Sequence, residues 1–335
     1  MKRIISLLLA LALTLSLTAC TAPAEKADDG QLQIVTTLFP YYDFARAIAQ
    51  DRADVTLLLS PGREAHSFEP TPLDAVTISE ADVFLYNGGE GEYWVDSMLD
   101  AAGENIAVIA RMMDYVDALD EEYVEGMQGA DGHDHDHEHG SHDDHDHDHE
   151  EDEHDSDEIE YDEHIWTSPK NAVVLCRAVC DAICRADAEN AAFYRANCEN
   201  YCAQLEDLDA RFAALCESAP RRLLIFADRF PMLYFCREYG LDYRAAFHGC
   251  SGDTEPSLAT IKFLIDKVED ENIPVVYTID FGTKKVAAVV SECTGAAIET
   301  LYSMQTVSRA DFDAGETYLT LMERNFEALR KGLNA

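Results

Sequence analysis

Histidines gathered in one short segment are the residues of this sequence best suited to chemistry. Nine of the twelve histidines alternate with carboxylates in a single tract: His133, His135, His137, His139, His142, His145, His147, His149 and His154. Imidazole is the commonest protein ligand for divalent zinc, and carboxylates add negative charge and further donor atoms. The tract is therefore predicted to collect several metal ions loosely.

The composition of this histidine tract also predicts its conformation. Between Asp131 and Glu163 there are eighteen Asp and Glu, no Lys or Arg, and almost no apolar residue. Such a segment has no apolar surface whose burial could offset the entropy of the chain. Residues 131–160 are expected to form a disordered loop. An acidic solvating linker with incidental histidines is the alternative.

Three histidines lie outside the tract, and two of them stand in loops suited to ligands. His66 follows a predicted strand over residues 55–59, and His164 directly follows the tract. His248 lies in a later loop, and Asp280 ends a predicted strand over residues 275–279. A tight zinc site needs three or four converging donors, and Asp280 could complete a set begun by His66 and His164.

Charge and length limit the class of protein. The chain has 335 residues, 47% of them hydrophobic, and a formal net charge of −40. This length allows one large domain or two ordinary ones with a real core. Because so few basic residues are available to neutralise phosphates, nucleic acid is not expected as a partner. Cations are the natural counterparts of such a chain.

The N-terminus predicts export. Lys2 and Arg3 precede an apolar run over residues 4–17, which is too short for a confident membrane span, and the run ends in Leu17-Thr-Ala-Cys20. This ending resembles a bacterial lipoprotein signal, which implies cleavage before Cys20 and lipid attachment to its thiol. Residues 1–20 are then the signal peptide and residues 21–31 a tether. An ordinary secretory peptide is the alternative.

Nine further cysteines raise the question of pairing or metal binding. They stand at Cys176, Cys180, Cys184, Cys198, Cys202, Cys216, Cys236, Cys250 and Cys293. The first three are spaced by four residues, so they share one face of a helix and are expected to be small apolar core residues. A zinc thiolate site and partial disulfide bonding are the alternatives.

Strands alternate with helices on both sides of the tract. In the first half, strands are expected at residues 31–38, 55–59, 83–86 and 106–109; in the second half, strands are expected at 223–227 and 275–279, and a loop at 247–250. This alternation indicates an α/β fold with mainly parallel sheets flanked by helices. We expect an N-terminal lobe at 32–186, a long rigid linking helix at 187–217, a C-terminal lobe at 218–335, and a metal cleft between the lobes.

The motifs resemble those of the zinc and manganese solute-binding lipoproteins of bacterial ABC importers, the ZnuA type. The resemblance covers residues 34–333 and rests on Pro61-Gly62 before His66, Asp-x-His-x-Trp-x-Ser-Pro at 162–169, Asn171, Glu255-Pro-Ser, and Gly315 leading to Tyr318. It implies that the chain binds Zn²⁺ outside the cytoplasm, anchored by lipid, and passes it to a membrane permease driven by an ATPase. A monomer is expected.

The same resemblance implies a ligand set. His66 and His164 match the family's first two histidine ligands, and Asp280 falls where the family has a carboxylate. The third ligand of the family has no clean match: Asp228 could substitute, or His248 could reach in. Asp228 could equally be structural, capping the next helix or pairing with Arg229.

Three other functions stay open. Mn²⁺ as cargo would suit a site richer in oxygen than in imidazole. A surface zinc buffer or chaperone would need no transporter. A zinc hydrolase is the least favoured, because the chain contains no His-Glu-x-x-His, nucleophile elbow or glycine-rich phosphate loop, and no enzymatic activity is expected.

Overall fold

The computed structural model describes residues 31–64, 68–102, 105–128, 160–251 and 255–334. Residues from Leu32 onward form one compact unit. The predicted signal peptide with Cys20, the predicted ligand His66 and the histidine tract all lie outside the described residues. Within the described ranges, no helix is both long enough and apolar enough to cross a membrane.

The first lobe is a four-stranded parallel sheet. Its strands are β1 (Leu32–Thr36), β2 (Ala53–Leu57), β3 (Val83–Tyr86) and β4 (Val108–Arg111), in the order β2-β1-β3-β4. The connecting helices are α1 (Phe39–Ala49), α2 (Pro72–Ser79) and α3 (Trp94–Ala102). Local sequence sets two of these helix starts: Pro40 occupies the first turn of α1, and Thr71 forms a capping box with Asp74 before α2.

A helical hairpin follows the first lobe. It consists of α4 (Pro169–Ala186) and α5 (Ala191–Ser218), and the side chain of Ser168 caps α4. α5 has 28 residues, so it is about 42 Å long at 1.5 Å per residue. It packs against α4 and reaches the second lobe, and it corresponds to the linking helix predicted at residues 187–217.

The second lobe repeats the topology of the first. Its strands are β5 (Leu223–Phe230), β6 (Asp242–His248), β7 (Val275–Ile279) and β8 (Ala297–Leu301), in the order β6-β5-β7-β8 and all parallel. Its helices are α6 (Leu233–Tyr239), α7 (Leu258–Asp270), α8 (Lys285–Thr294), α9 (Arg309–Asp313) and α10 (Tyr318–Leu333). In each sheet the first and third strands are neighbours, and the chain connections diverge between them, which is where open α/β sheets place ligands.

The predicted α/β fold with two mainly parallel sheets is confirmed, with two strands added. The sequence predicts no strand at β6, whose last two residues fall in the predicted loop, and none at β8. Both are edge strands; β6 contains Asp242, Arg244 and two alanines, and β8 is exposed or half-buried except at Leu301. By contrast β7 is buried at every position, which makes it a continuous apolar run that is easy to recognise.

Candidate metal site

His164 is the predicted ligand whose surroundings are best defined. Its residue is 1% exposed, and its ring borders a cleft of about 340 Å³ that is also lined by residues of the second lobe. Asp162 Oδ1 accepts a hydrogen bond from the His164 backbone N at 2.8 Å and lies 3.1 Å from ring Nδ1. This contact favours the tautomer with the proton on Nδ1, so that Nε2 carries the lone pair that a metal needs.

Burial and charge act in opposite directions on this imidazole. Desolvation lowers the pKa of His164, but the Asp162 carboxylate, with Glu121 and Glu163 nearby, outweighs it, so the pKa ends above its usual value. A metal must compete with a proton for Nε2 of His164, because only neutral imidazole is a ligand. Metal binding at His164 is therefore expected to weaken as the pH falls.

Both lobes hold the segment that carries His164. From the first lobe, Asn87 Nδ2 donates to the carbonyl of Glu163 at 3.0 Å. From the second, the Tyr234 hydroxyl donates to the carbonyl of Asp162 at 2.8 Å, and Trp166 Nε1 donates to the carbonyl of Ser303 at 2.7 Å. These bonds fix the position of the imidazole relative to both sheets.

Gly249 allows the second lobe to approach the imidazole closely. A Cβ at this position would lie 3.1 Å from Cε1 and Nδ1 of His164 and 2.9 Å from the carbonyl oxygen of Phe230. Only a residue without a side chain fits there without displacing the ring. The Gly249 backbone N donates to Glu121 Oε1 at 2.8 Å, which joins the loop to the first lobe.

His248 is engaged beside the cleft. Its Nδ1 lies 3.2 Å from Glu121 Oε1, and its ring packs against Tyr123 with centroids 5.0 Å apart. Burial raises the pKa of Glu121, but the hydrogen bond from His248 and the nearby imidazole of His164 outweigh that effect and lower it. The structure thus places the His248 ring against Glu121 and Tyr123 of the first lobe.

Asp228 lies on an irregularity of its strand. The pairing of β5 with β6 shifts register between Phe226 and Arg229, as in a β-bulge. Asp228 Oδ1 accepts from the Arg229 backbone N at 2.9 Å, and Oδ2 accepts from the Ile279 backbone N at 3.5 Å. Burial raises the pKa of this carboxyl. Both oxygens are therefore held by the C-terminal ends of β5 and β7.

Asp280 follows β7 at the edge where the sheet meets the cleft. Its Oδ1 accepts a hydrogen bond from the Ser303 backbone N at 3.1 Å. Burial raises its pKa to about 6, because desolvation disfavours the charged form. A cation beside this carboxylate would favour ionisation and reverse that shift.

A buried ion pair that the sequence reading missed crosses the cleft. Arg229 Nη1 donates to Glu64 Oε1 at 2.7 Å, and both side chains line the same cleft as His164. The Arg229 side chain is only 11% exposed. Glu64 stands two residues before His66, and that proximity was the available signal for its place at the site. For Arg229 the signal in the sequence was weaker, because it suggested only a pairing of Arg229 with Asp228.

The predicted ligands that the structure describes form no compact group of three among themselves, and His66 lies outside the described residues. Among the described residues, the one group of three His, Cys, Asp or Glu side chains whose ligand atoms all lie within 4.8 Å of one another is Cys176, Cys198 and Cys202. His164 lines the cleft, and Asp280 directly follows Ile279, which also lines it.

Comparisons with known proteins agree with this architecture. Residues 34–332 match the family described as "Zinc-uptake complex component A periplasmic". The high-affinity zinc uptake system protein ZnuA of Bacillus subtilis is 30% identical over 306 residues, covering 90% of this chain and 88% of that protein. The zinc-binding lipoprotein AdcA of Streptococcus pneumoniae is 31% identical, covering 99% of this chain but only 61% of the relative.

Two solved structures share the fold. The metal-dependent lipoprotein YcdH of Bacillus subtilis aligns with a TM-score of 0.72 and 29% identity, covering 91% of this chain and all of that one. The Zn(II)-bound ZnuA-like domain of Streptococcus pneumoniae AdcA aligns with a TM-score of 0.71 and 25% identity, with the same coverage. The chain therefore belongs to the family of periplasmic component A proteins of zinc-uptake complexes.

Proposed function

We propose that this protein captures Zn²⁺ outside the cytoplasm and delivers it to the permease of an ABC importer. The observation that carries the proposal is His164, a buried imidazole oriented by Asp162 at a cleft between two parallel-sheet lobes. The relatives named above are described as zinc-uptake and zinc-binding proteins. A resident catalytic metal is not part of the proposal, because zinc is the cargo.

The proposed ligands are His66 and His164 from the first lobe and Asp280 from the second. Asp228 and His248 are the candidates for a further position. Asp228 and Asp280 accept hydrogen bonds from backbone N–H groups and still have lone pairs for a metal, because an ionised carboxylate offers about four lone-pair positions. Two imidazoles favour zinc, whereas a set completed by two aspartates would bring the site closer to the oxygen-rich chemistry of manganese.

The cleft must admit a divalent cation next to a guanidinium. Arg229 faces the same cleft as His164, and Glu64 neutralises most of its charge through their ion pair. When zinc enters, Glu64 can move toward the cation because its side chain is 36% exposed. We propose that the Glu64 carboxylate pairs with Arg229 in the metal-free protein and moves toward the zinc ion in the metal-bound protein.

The histidine tract supplies the loose tier of binding in this proposal. Its sites would raise the local zinc concentration near the cleft, while the cleft supplies the affinity. The proposed organisation is a signal peptide at 1–20, a tether at 21–31, lobes at 32–186 and 218–335, and a linking helix at 187–217. Lipid attachment at Cys20 would hold the protein, as a monomer, near its permease and ATPase. We propose no catalytic activity.

Metal content and competition titrations test this function. The protein without residues 1–20 is compared with the same protein that also lacks residues 133–154. We expect the deletion to remove several weakly bound zinc ions and to keep one tight ion. His164→Ala in the deleted protein should then abolish the tight site, and His133→Ala in the undeleted protein is the control, since one of nine tract histidines should matter little.

Three outcomes would contradict the proposal. Loss of tight binding with the tract would place the main site outside the cleft. Displacement of zinc by manganese at equal concentration would change the cargo. Steady ester or peptide hydrolysis abolished by His164→Ala would point to an enzyme instead.

A further inference from the structure

Five buried cysteines meet where α4 packs against α5. Cys176, Cys180 and Cys184 lie on α4, and Cys198 and Cys202 lie on α5. None of the five residues is more than 7% exposed. The proposed zinc cleft uses none of them, so this interface holds a concentration of sulfur that zinc capture does not explain.

Three of the sulfur atoms have the spacing of a metal site. The Sγ atoms of Cys176, Cys198 and Cys202 all lie within 4.8 Å of one another, and those of Cys198 and Cys202 are 3.8 Å apart. A metal bound to three thiolates at about 2.3 Å holds them about 4.0 Å apart in a trigonal plane. Rotamer adjustments of less than an ångström would therefore complete the geometry.

Ligand number and softness decide which ion suits this place. Structural zinc takes four ligands almost without exception, whereas the mutually close group in the described residues has three members. Thiolates prefer soft ions such as Cu(I).

We propose that Cys176, Cys198 and Cys202 form a three-coordinate site for a soft monovalent cation of the Cu(I) class. In the binding step each of the three thiols releases its proton to solvent as its sulfur forms a bond to the metal, and no oxidation state changes. The ion would tie α4 to α5, separate from the nitrogen and oxygen donors of the cleft.

Anaerobic titration of the reduced protein with Cu(I) tests the site. The protein lacks residues 1–20 and 133–154 and carries His164→Ala, so the cleft and the tract contribute little. Because the thiols are buried, Cu(I) is supplied both to the folded protein and during refolding, with a competing chelator present. We expect one retained ion, about three released protons per ion, and an ultraviolet charge-transfer band from thiolate to metal.

Matched cysteine variants separate this site from other thiols. The triple change Cys176→Ala, Cys198→Ala and Cys202→Ala should lose the ion and its absorption band. Cys216→Ala should keep both, because Cys216 is equally buried on α5 but outside the cluster. If the triple variant does not fold, alkylation of the otherwise unchanged protein in partial denaturant, with and without Cu(I), gives the answer. Burial alone protects all the buried thiols, whereas the ion should slow alkylation of Cys176, Cys198 and Cys202 relative to Cys216.

Three results would overturn the proposal. One is no retained ion by either loading route, which would leave the cysteines as small apolar core residues. Another is equal retention by the triple variant. The third is a native disulfide between α4 and α5, seen by mass spectrometry without reduction, because it would consume the ligands.

Discussion

Replacing Asp162 with asparagine tests whether this carboxylate prepares His164 for zinc. Asp162 Oδ1 contacts both the backbone N and ring Nδ1 of His164, at 2.8 and 3.1 Å, and both residues are buried. Asparagine keeps an acceptor oxygen in nearly the same position but removes the negative charge. The variant therefore isolates the electrostatic part of the contact from its geometric part.

The expected loss follows from the role of such partners. Removing the carboxylate that orients a metal-bound imidazole lowers metal affinity about 10- to 100-fold, or about 1.4–2.8 kcal/mol. Because asparagine preserves the acceptor, we expect Asp162→Asn to lie near the 10-fold end. Asp162→Ala leaves two donors of His164 without their acceptor and should lie near the 100-fold end.

The dependence of the loss on pH provides a second check. Asp162 also raises the pKa of His164, so its removal weakens proton binding together with zinc binding. At a pH well above the pKa of His164 the imidazole is neutral and the full loss of zinc affinity should appear. As the pH falls below the pKa of His164, protons compete with zinc less strongly in the variant than in the wild type. The difference in zinc affinity between the two proteins should therefore become smaller.

Competition titration with a chromophoric zinc chelator, on protein without the tract, measures these affinities. Glu163→Gln is the matched control, because it removes the same charge from the next residue, whose Oε1 accepts from the Gly91 backbone N instead. We expect it to change affinity much less than Asp162→Asn. Equal effects of the two variants, or wild-type affinity in Asp162→Asn, would refute the reasoning.

Three further variants probe the cleft and the core. Gly249→Ala should weaken zinc binding about 10-fold, because its Cβ would press on the ring of His164. Arg229→Gln should tighten zinc binding several-fold in the same titration, because it removes a positive charge and releases Glu64. Glu92→Gln should raise the free energy of unfolding at about pH 8 by roughly 2–3 kcal/mol, because burial raises the pKa of Glu92 to about 7 and its ionisation then costs stability.

Each variant has a distinct failing result. Unchanged affinity in Gly249→Ala, with an unchanged melting temperature, would mean that the ring is not held by this contact. Weaker zinc binding in Arg229→Gln would make the guanidinium a positioning group. In the wild type, ionisation of Glu92 should lower the free energy of unfolding as the pH rises from about 4.5 to 7, and in Glu92→Gln this loss should be absent. If denaturant curves show the same pH dependence for both proteins, Glu92 does not have this effect.

The fold was predictable where local pattern and burial agree. The central strand β7 was placed at its observed limits because all five of its residues are buried and apolar or β-branched. The edge strands β6 and β8 gave weaker patterns, because β6 mixes charged residues with apolar ones and β8 is exposed or half-buried except at Leu301. Their place in the sheet depends on pairing with distant residues, which no local window contains.

The candidate site was predictable in part for a related reason. His164 was found because it lies in a compact motif over residues 162–169, and the importance of Asp162 follows from the same few residues. Glu121 and the pair of Glu64 with Arg229 were not found, because those contacts join residues more than 100 positions apart. Such pairs become visible only once both lobes are assembled.

The attachment of the His164 segment to both lobes has a consequence for delivery. Asn87 holds it from one side, while Tyr234 and Ser303 hold it from the other. Moving the lobes apart would therefore strain or break hydrogen bonds on at least one side of the segment before zinc could dissociate from His164. Spontaneous dissociation should be slow. A membrane receptor that binds both lobes at once would supply the free energy needed to break these bonds. Zinc release would then occur on docking to the receptor rather than by thermal opening of the free protein.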